Sequence, residues 1–133
     1  MMKGEIEIKV RGYHLDIYAH VNNARYVEFL EEARWALFDD SEVGKDMISR
    51  GFAFTVVNIN VSYLSEARVN DLLSIVTDMK KIGNKSITLS QKIFRKTDMK
   101  QVVDAEVTFV LVNIKTGKAV VIDDEIKSII SKV

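Results

Sequence analysis

The sequence predicts an α+β fold in which an antiparallel sheet packs on one long central helix. Three patterns carry that prediction. Residues 5–11 alternate strictly, with Ile6, Ile8 and Val10 on one face and charges on the other, which is the period of a half-buried strand. From Asn23 to Phe38 the apolar residues instead recur at three and four positions, the period of a helix. After Gly51 nearly everything reads as long strands joined by short turns, and short turns connect antiparallel neighbours. With 133 residues and 47% apolar content the chain supplies one core, hence a single domain over 1–133.

Each element has its own local reason. In the helix, Tyr26, Phe29, Leu30, Ala33, Ala36 and Leu37 form the buried stripe, opposite Arg25, Glu28, Glu31, Glu32 and Arg34. Asn22 or Asn23 is the expected N-cap, because a short side-chain carbonyl accepts a first-turn amide. A short second helix is expected over 41–50, capped by Ser41 and weakened by Gly44. Next, Phe52, Phe54 and Val56 occupy even positions, whereas Val57, Ile59, Val61 and Tyr63 occupy odd ones. That slip predicts a β-bulge or a strand buried on both faces. Strands follow over 72–82, 85–95 and 102–112. The turns Gly83-Asn84, Thr97-Asp98 and Thr116-Gly117 offer residues that tolerate positive φ. Ile126, Ile129, Ile130 and Val133 predict a docked C-terminal helix. A sheet this large over one helix leaves an edge or apolar area uncovered, so a homodimer or homotetramer is expected.

Composition narrows the function. Basic and acidic residues balance at 19 each, with a pI near 6.7. That lacks the basic excess of a nucleic-acid binder. Without cysteine there is no disulfide, thiolate metal site or thiol nucleophile. Two histidines are too few for a histidine-rich metal site, so no metal or cofactor is expected. The first ten residues lack the apolar core of a signal peptide, and no apolar run is long enough to span a membrane, which predicts a cytoplasmic protein.

Chemistry concentrates between the first strand and the helix, where Gly12 to Asn23 bring His14, Asp16, His20, Asn22 and Asn23 up to a helix N-terminus. First-turn amides there face outward and favour a developing anion. A carboxylate opposite those donors has the makings of a hydrolytic site, with the amides holding a carbonyl oxygen while Asp16 attacks or orients water. Each residue also has a plainer reading. Asp16 suits a turn that it closes through its own backbone; His14 and His20 suit packing, Asn22 and Asn23 capping, and Glu28, Glu31 and Glu32 a solvated face. Lys80, Lys81 and Lys85 flank a hairpin turn, as surface lysines often do, and would also suit the phosphates of a nucleotide-bearing substrate.

The run Val10-Arg11-Gly12-Tyr13-His14-Leu15-Asp16, then His20-Val21-Asn22-Asn23-Ala24-Arg25-Tyr26 and Glu28-Phe29-Leu30-Glu31-Glu32-Ala33-Arg34-Trp35, resembles the hotdog-fold acyl-CoA thioesterases of the 4-hydroxybenzoyl-CoA type. Its subfamily likeness is to the bacterial long-chain acyl-CoA thioesterases III, in which His-Leu-Asp also occurs. The resemblance continues through Phe54–Asn60, Tyr63, Asp71-Leu72-Leu73, Lys85-Ser86 and Val107–Val110. It implies hydrolysis of medium- to long-chain acyl-CoA to fatty acid and coenzyme A, between two subunits joined edge to edge. It places the catalytic carboxylate on Asp16, the carbonyl-polarising amide on Asn23 and a positioning histidine on His20. Contacts to substrate fall on Tyr26, and to coenzyme A phosphates on Gly83, Asn84, Lys85 and Ser86. Glu31 and Glu32 fall on the helix face toward the cleft. The sequence departs from many relatives at His14, where they carry a second aspartate, and at Ala19, where they carry glycine. A non-catalytic acyl-CoA binding module, or an acyl-thioester hydratase or dehydratase using His20 and Asp16, is the alternative.

Overall fold

The alternating first segment forms β1 (Lys3–Lys9), half-buried through Ile6 and Ile8. It appears in a computed structural model that describes residues 3–39 and 41–133. The amphipathic segment forms α1 (Asn23–Asp39), which buries Tyr26, Phe29, Leu30 and Ala33. A short α2 (Val43–Ser49) follows, then β2 (Phe52–Tyr63), β3 (Leu72–Ile82), β4 (Ser86–Arg95), β5 (Gln101–Asn113) and α3 (Asp124–Ile130).

The five strands form one antiparallel sheet in the order β1-β3-β4-β5-β2. Alternation sends Leu73, Ile75, Ile87, Leu89, Ile93, Val103, Val107 and Leu111 inward, all fully buried. The core falls into two clusters. One gathers beneath the first half of α1, around Tyr26, Phe29, Leu30, Leu73, Ile75 and Val103. The other fills the far end, where Val43 and Met47 of α2 and Ile126 and Ile130 of α3 close over Ile87, Leu89, Phe109 and Leu111. Each fully buried aliphatic side chain contributes roughly 1.5–3 kcal/mol relative to exposure.

The phase slip in β2 is a bulge. Pairing with β5 shifts between Val56 and Asn58, leaving Val57 without a partner and 57% exposed. β2 is also an edge strand, and Val56, Ile59 and Tyr63 on it are exposed, so the uncovered edge expected from the sequence exists. Such a long apolar edge invites pairing with another strand.

Three local expectations need correction. Ser41 does not cap α2: its hydroxyl donates to the Phe38 carbonyl at 3.1 Å, extending the end of α1, and Glu42 takes the N-cap position without a side-chain bond. In the β4–β5 turn the positive φ falls on Met99 (+57°), one residue after Asp98, because the Asp98 carboxylate accepts from the Lys100 amide and from Arg95. Gly83 and Asn84 do not have positive φ. At 83 the turn is close-packed: a Cβ there would meet Ser86 Oγ at 3.1 Å and the Ser86 carbonyl at 3.4 Å, so a side chain fits only if Ser86 shifts by a few tenths of an ångström. Gly117 does take positive φ, at +70°. The C-terminal helix docks as expected, with the Asp123 carboxylate accepting the Ile126 amide at 2.9 Å.

Candidate active site

The loop between β1 and α1 is a miniature hairpin. Leu15 bridges Val21, the Asp16 amide donates to the His20 carbonyl at 2.9 Å, and the Asn22 amide donates to the His14 carbonyl at 2.9 Å. Asp16 and His20 are therefore directly opposite across the ladder, so their side chains share one face. Ile17, Tyr18 and Ala19 make the connection, with the Ala19 amide donating to the Asp16 carbonyl at 3.1 Å. A three-residue hairpin of this kind ends in a left-handed residue. Ala19 supplies it, at φ +62°.

Asp16 is half-buried, and one of its carboxylate oxygens, Oδ1, accepts the Tyr18 amide at 2.9 Å. The turn-closing reading of Asp16 is thus correct as far as that oxygen goes. The second oxygen has no hydrogen-bond partner among the described residues. The turn holds the carboxylate in one orientation and leaves one oxygen available.

Immediately after the hairpin, Asn22 caps α1: its Oδ1 accepts the Ala24 amide at 2.9 Å, and its carbonyl accepts the Arg25 amide at 2.9 Å. The amide of Asn23, the first residue of α1, takes no acceptor among the described residues. Asp16, His20 and Asn23 thus come together on one short ribbon that ends at a helix N-terminus. The ribbon is tied down from below by the Val21 amide, which donates to the Ala67 carbonyl at 2.9 Å.

His14 belongs to the packing. Its Nδ1 accepts the Arg11 amide at 2.9 Å and its ring meets Tyr13 and Phe29 edge-on at 4.4 and 4.9 Å. Burial, and then the nearby Arg25 guanidinium, hold the imidazole below its usual pKa of 6.5. The ring fixes the 3₁₀ turn over Gly12–His14 by accepting the Arg11 amide.

Tyr26, expected among the substrate contacts, lies in the core instead. It is 4% exposed, and its hydroxyl accepts the Ala67 amide at 3.1 Å. Burial raises the phenol to about 12. The helical period already places Tyr26 on the buried stripe, and the structure agrees with that period.

Gly83, Asn84, Lys85 and Ser86 form the β3–β4 turn, closed by the Gly83 amide on the Ser86 carbonyl at 2.7 Å and held by the Ile122 amide on the Asn84 carbonyl at 2.8 Å. Lys80 pairs with Glu106, whereas Lys81 and Lys85 have no ion pair among the described residues. This turn is far from Asp16 within one chain. The Asp16 loop is anchored at the Leu72 end of β3, through Lys9 opposite Leu72 and the Val10 amide on the Asp71 carbonyl. The turn is at the Ile82 end, and ten steps of about 3.3 Å separate those ends by roughly 33 Å.

Sequence reading missed a buried polar cluster beneath α1. Gln91, fully buried, donates to the Leu30 carbonyl and to Thr77 Oγ1, each at 3.0 Å, while its Oε1 accepts Arg34 at 3.0 Å. The available signal was a lone amide in the inward series Ile87, Leu89, Gln91, Ile93. Glu28, by contrast, pairs with Arg25 at 3.1 Å on the exposed face, and Glu31 and Glu32 are exposed.

Comparison with known proteins agrees with this architecture. The thioesterase-like superfamily model matches residues 10–130. The long-chain acyl-CoA thioesterase FadM of Escherichia coli is 46% identical over 123 residues, covering 92% of this chain and 93% of that protein. The crystal structure of the probable thioesterase YbaW from Escherichia coli superposes with a TM-score of 0.92 at 44% identity, over 96% of each chain. A 4-hydroxybenzoyl-CoA thioesterase solved with 4-hydroxybenzoyl-CoA shares the fold alone, with a TM-score of 0.84 at 19% identity over 97% of this chain and 99% of that one.

Proposed function

The chain belongs to the thioesterase-like superfamily, and we propose that it is a homo-oligomeric, cytoplasmic hydrolase of medium- to long-chain acyl-CoA with Asp16 as its catalytic carboxylate. The observation that carries the assignment of Asp16 is its placement: a half-buried carboxylate, fixed by its own turn with one oxygen unengaged, on the ribbon that delivers the unpartnered Asn23 amide.

The chemistry follows from that pairing. The thioester carbonyl oxygen accepts the Asn23 amide, and the positive end of α1 stabilises the charge that develops there. One such donor lowers the barrier by about 3 kcal/mol. Asp16 supplies its free oxygen to the carbonyl carbon, or draws a proton from a water that attacks it. By the first route the C–S bond breaks as an acyl–Asp16 anhydride forms, and a water then cleaves that anhydride to fatty acid and free carboxylate; by the second the water oxygen enters the fatty acid directly as the C–S bond breaks. In both, coenzyme A leaves as its thiolate and takes up a proton. His20, opposite Asp16, orients the substrate or the water.

Lys85 and the Gly83–Ser86 turn hold the coenzyme A phosphates. The distance to Asp16 within one chain then requires two copies. Pairing across the free β2 edges by a two-fold axis runs the two sheets in opposite directions. The turn end of one subunit is thereby brought toward the Asp16 end of its partner, which is also the arrangement that covers Val56, Ile59 and Tyr63.

The test is release of free thiol from acyl-CoAs by the wild type and by Asp16→Asn. Because the protein has no cysteine, a thiol reagent reports only coenzyme A. The variant should lose turnover by two orders of magnitude or more (~10²–10⁴ for a lost acid–base group) with little change in substrate binding. Wild-type turnover in the variant would remove Asp16 from the mechanism. A single turnover in ¹⁸O water tests the nucleophilic route: label in the protein shows that water opened an acyl–Asp16 anhydride at the aspartyl carbon, which base catalysis does not produce.

A further inference from the structure

A second concave surface lies away from Asp16, between the last turns of α1, the short α2 and the start of β2. It is a groove of about 370 Å³. Its base is aromatic: Phe38 stacks on Phe54 at 5.7 Å, and Phe54 meets Phe109 edge-on at 5.3 Å. Trp35 forms one wall at 61% exposure, and Gly44, Met47 and Ile48 of α2 form another. Glu31 and Arg34 border it, the latter held by Gln91.

The groove is in line with the candidate active site. On α1, Ala24, Val27, Glu31, Arg34 and Phe38 are spaced by three and four residues and therefore share one stripe. That stripe begins beside the Asn23 amide and ends in the groove. Tyr63 of β2 donates to the Asn23 carbonyl at 3.1 Å at one end, and Phe54 of β2 meets Phe38 at the other, so β2 follows the stripe along its length.

We propose that this groove seats the distal part of the acyl chain and that α2 measures its length, an inference that rests on the thioesterase reading above. Glu31 and Phe38 lie eight and fifteen residues past Asn23, hence about 12 and 22 Å along the helix at about 1.5 Å per residue. An extended chain advances about 1.25 Å per bond, the value implied by a 3.8 Å step over three backbone bonds. A thioester held at Asn23 therefore brings roughly its tenth to eighteenth carbons into the groove. Chains of eight carbons or fewer stop short of it. Each methylene buried there raises kcat/KM up to about fourfold.

Gly44 is the length-setting position. A Cβ added there meets no atom within 4 Å and the backbone is not in the left-handed region, so the side chain of Gly44→Leu starts in open space at the groove without backbone strain. Trp35 is the sole tryptophan of the chain, so its emission reports occupancy of this groove directly.

The experiment measures kcat/KM for hexanoyl-, decanoyl- and palmitoyl-CoA in the wild type and in Gly44→Leu. In parallel, Trp35 emission is titrated with hexanoyl- and palmitoyl-CoA on the Asp16→Asn protein. The proposal expects a saturable blue shift with palmitoyl-CoA and none with hexanoyl-CoA, together with at least a tenfold fall in the palmitoyl-to-hexanoyl ratio in Gly44→Leu. Efficient palmitoyl-CoA hydrolysis with no selective Trp35 response and an unchanged ratio overturns the groove while leaving the hydrolase standing. A selective, saturable Trp35 response in a wild type that releases no thiol upholds the groove and overturns the hydrolase. Absence of both overturns both.

Discussion

Replacing Ala19 by glycine should stabilise this protein, the reverse of what the same exchange does almost anywhere else. The three-residue hairpin places Ala19 at φ +62°, where a Cβ crowds the backbone at a cost of about 1–2 kcal/mol. Glycine removes that cost and adds about 0.5–1 kcal/mol of unfolded-state entropy to be overcome. Ala19 is exposed, so no buried methyl is lost. The net gain is therefore about 0.5–1 kcal/mol, or roughly 2–4 °C in Tm for a domain of this size. In urea it corresponds to a midpoint raised by about 0.3–0.5 M at constant slope. Calorimetry and urea unfolding read it, with Ala24→Gly as the control. Ala24 is exposed in the first turn of α1, where glycine should instead cost up to about 1 kcal/mol. A fall in Tm for Ala19→Gly, or shifts of the same sign in both variants, would refute the strain argument.

Other consequences are independent of that loop. Gln91→Leu removes three hydrogen bonds and leaves Thr77 Oγ1 and Arg34 without their partner, so it should destabilise by about 1–3 kcal/mol in urea unfolding; an unchanged midpoint would show that the cluster orients α1 without stabilising it. His14 is depressed in the folded state, so the unfolded chain binds the extra proton first: stability is fully present above pH 6.5 and declines as pH falls below it toward the folded value. His14→Asn keeps an acceptor for the Arg11 amide without titrating there, and its Tm should fall less steeply between pH 6.5 and 5; parallel profiles would exclude His14 as the source. Asp16→Asn and Lys85→Ala subunits, each impaired alone, should recover about a quarter of wild-type sites when unfolded and refolded together at equal amounts, because half the dimers then carry one site with both residues intact. Recovery no greater than the sum of the separate activities would place Asp16 and Lys85 in the service of different sites.

Local patterns were sufficient for the elements themselves. Alternation located β1, the three-and-four spacing located α1, and the change of phase at Val56–Val57 marked the bulge, because strand and helix periods are properties of the chain itself. Turn chemistry was less legible. Positive φ fell on Ala19, Asn70 and Met99, residues chosen by hairpin closure and neighbouring carboxylates more than by their own preference.

The candidate site divides along the same line. Asp16, His20 and Asn23 lie within eight residues, so the sequence alone could place them together, and the Asn22 cap followed from its side-chain chemistry. The helical period already puts Tyr26 on the buried stripe, and packing is one reading of His14; the tertiary structure supplies the partners, Phe29 against the imidazole and the Ala67 amide on the phenol, because those come from segments distant in sequence. Only the tertiary structure could show the Gly83–Ser86 turn at the opposite end of β3, because strand direction and register convert sequence separation into distance. The groove beneath Trp35 likewise arises where α1, α2 and β2 converge, three segments whose meeting is fixed by packing across the core and by no pattern within any one of them.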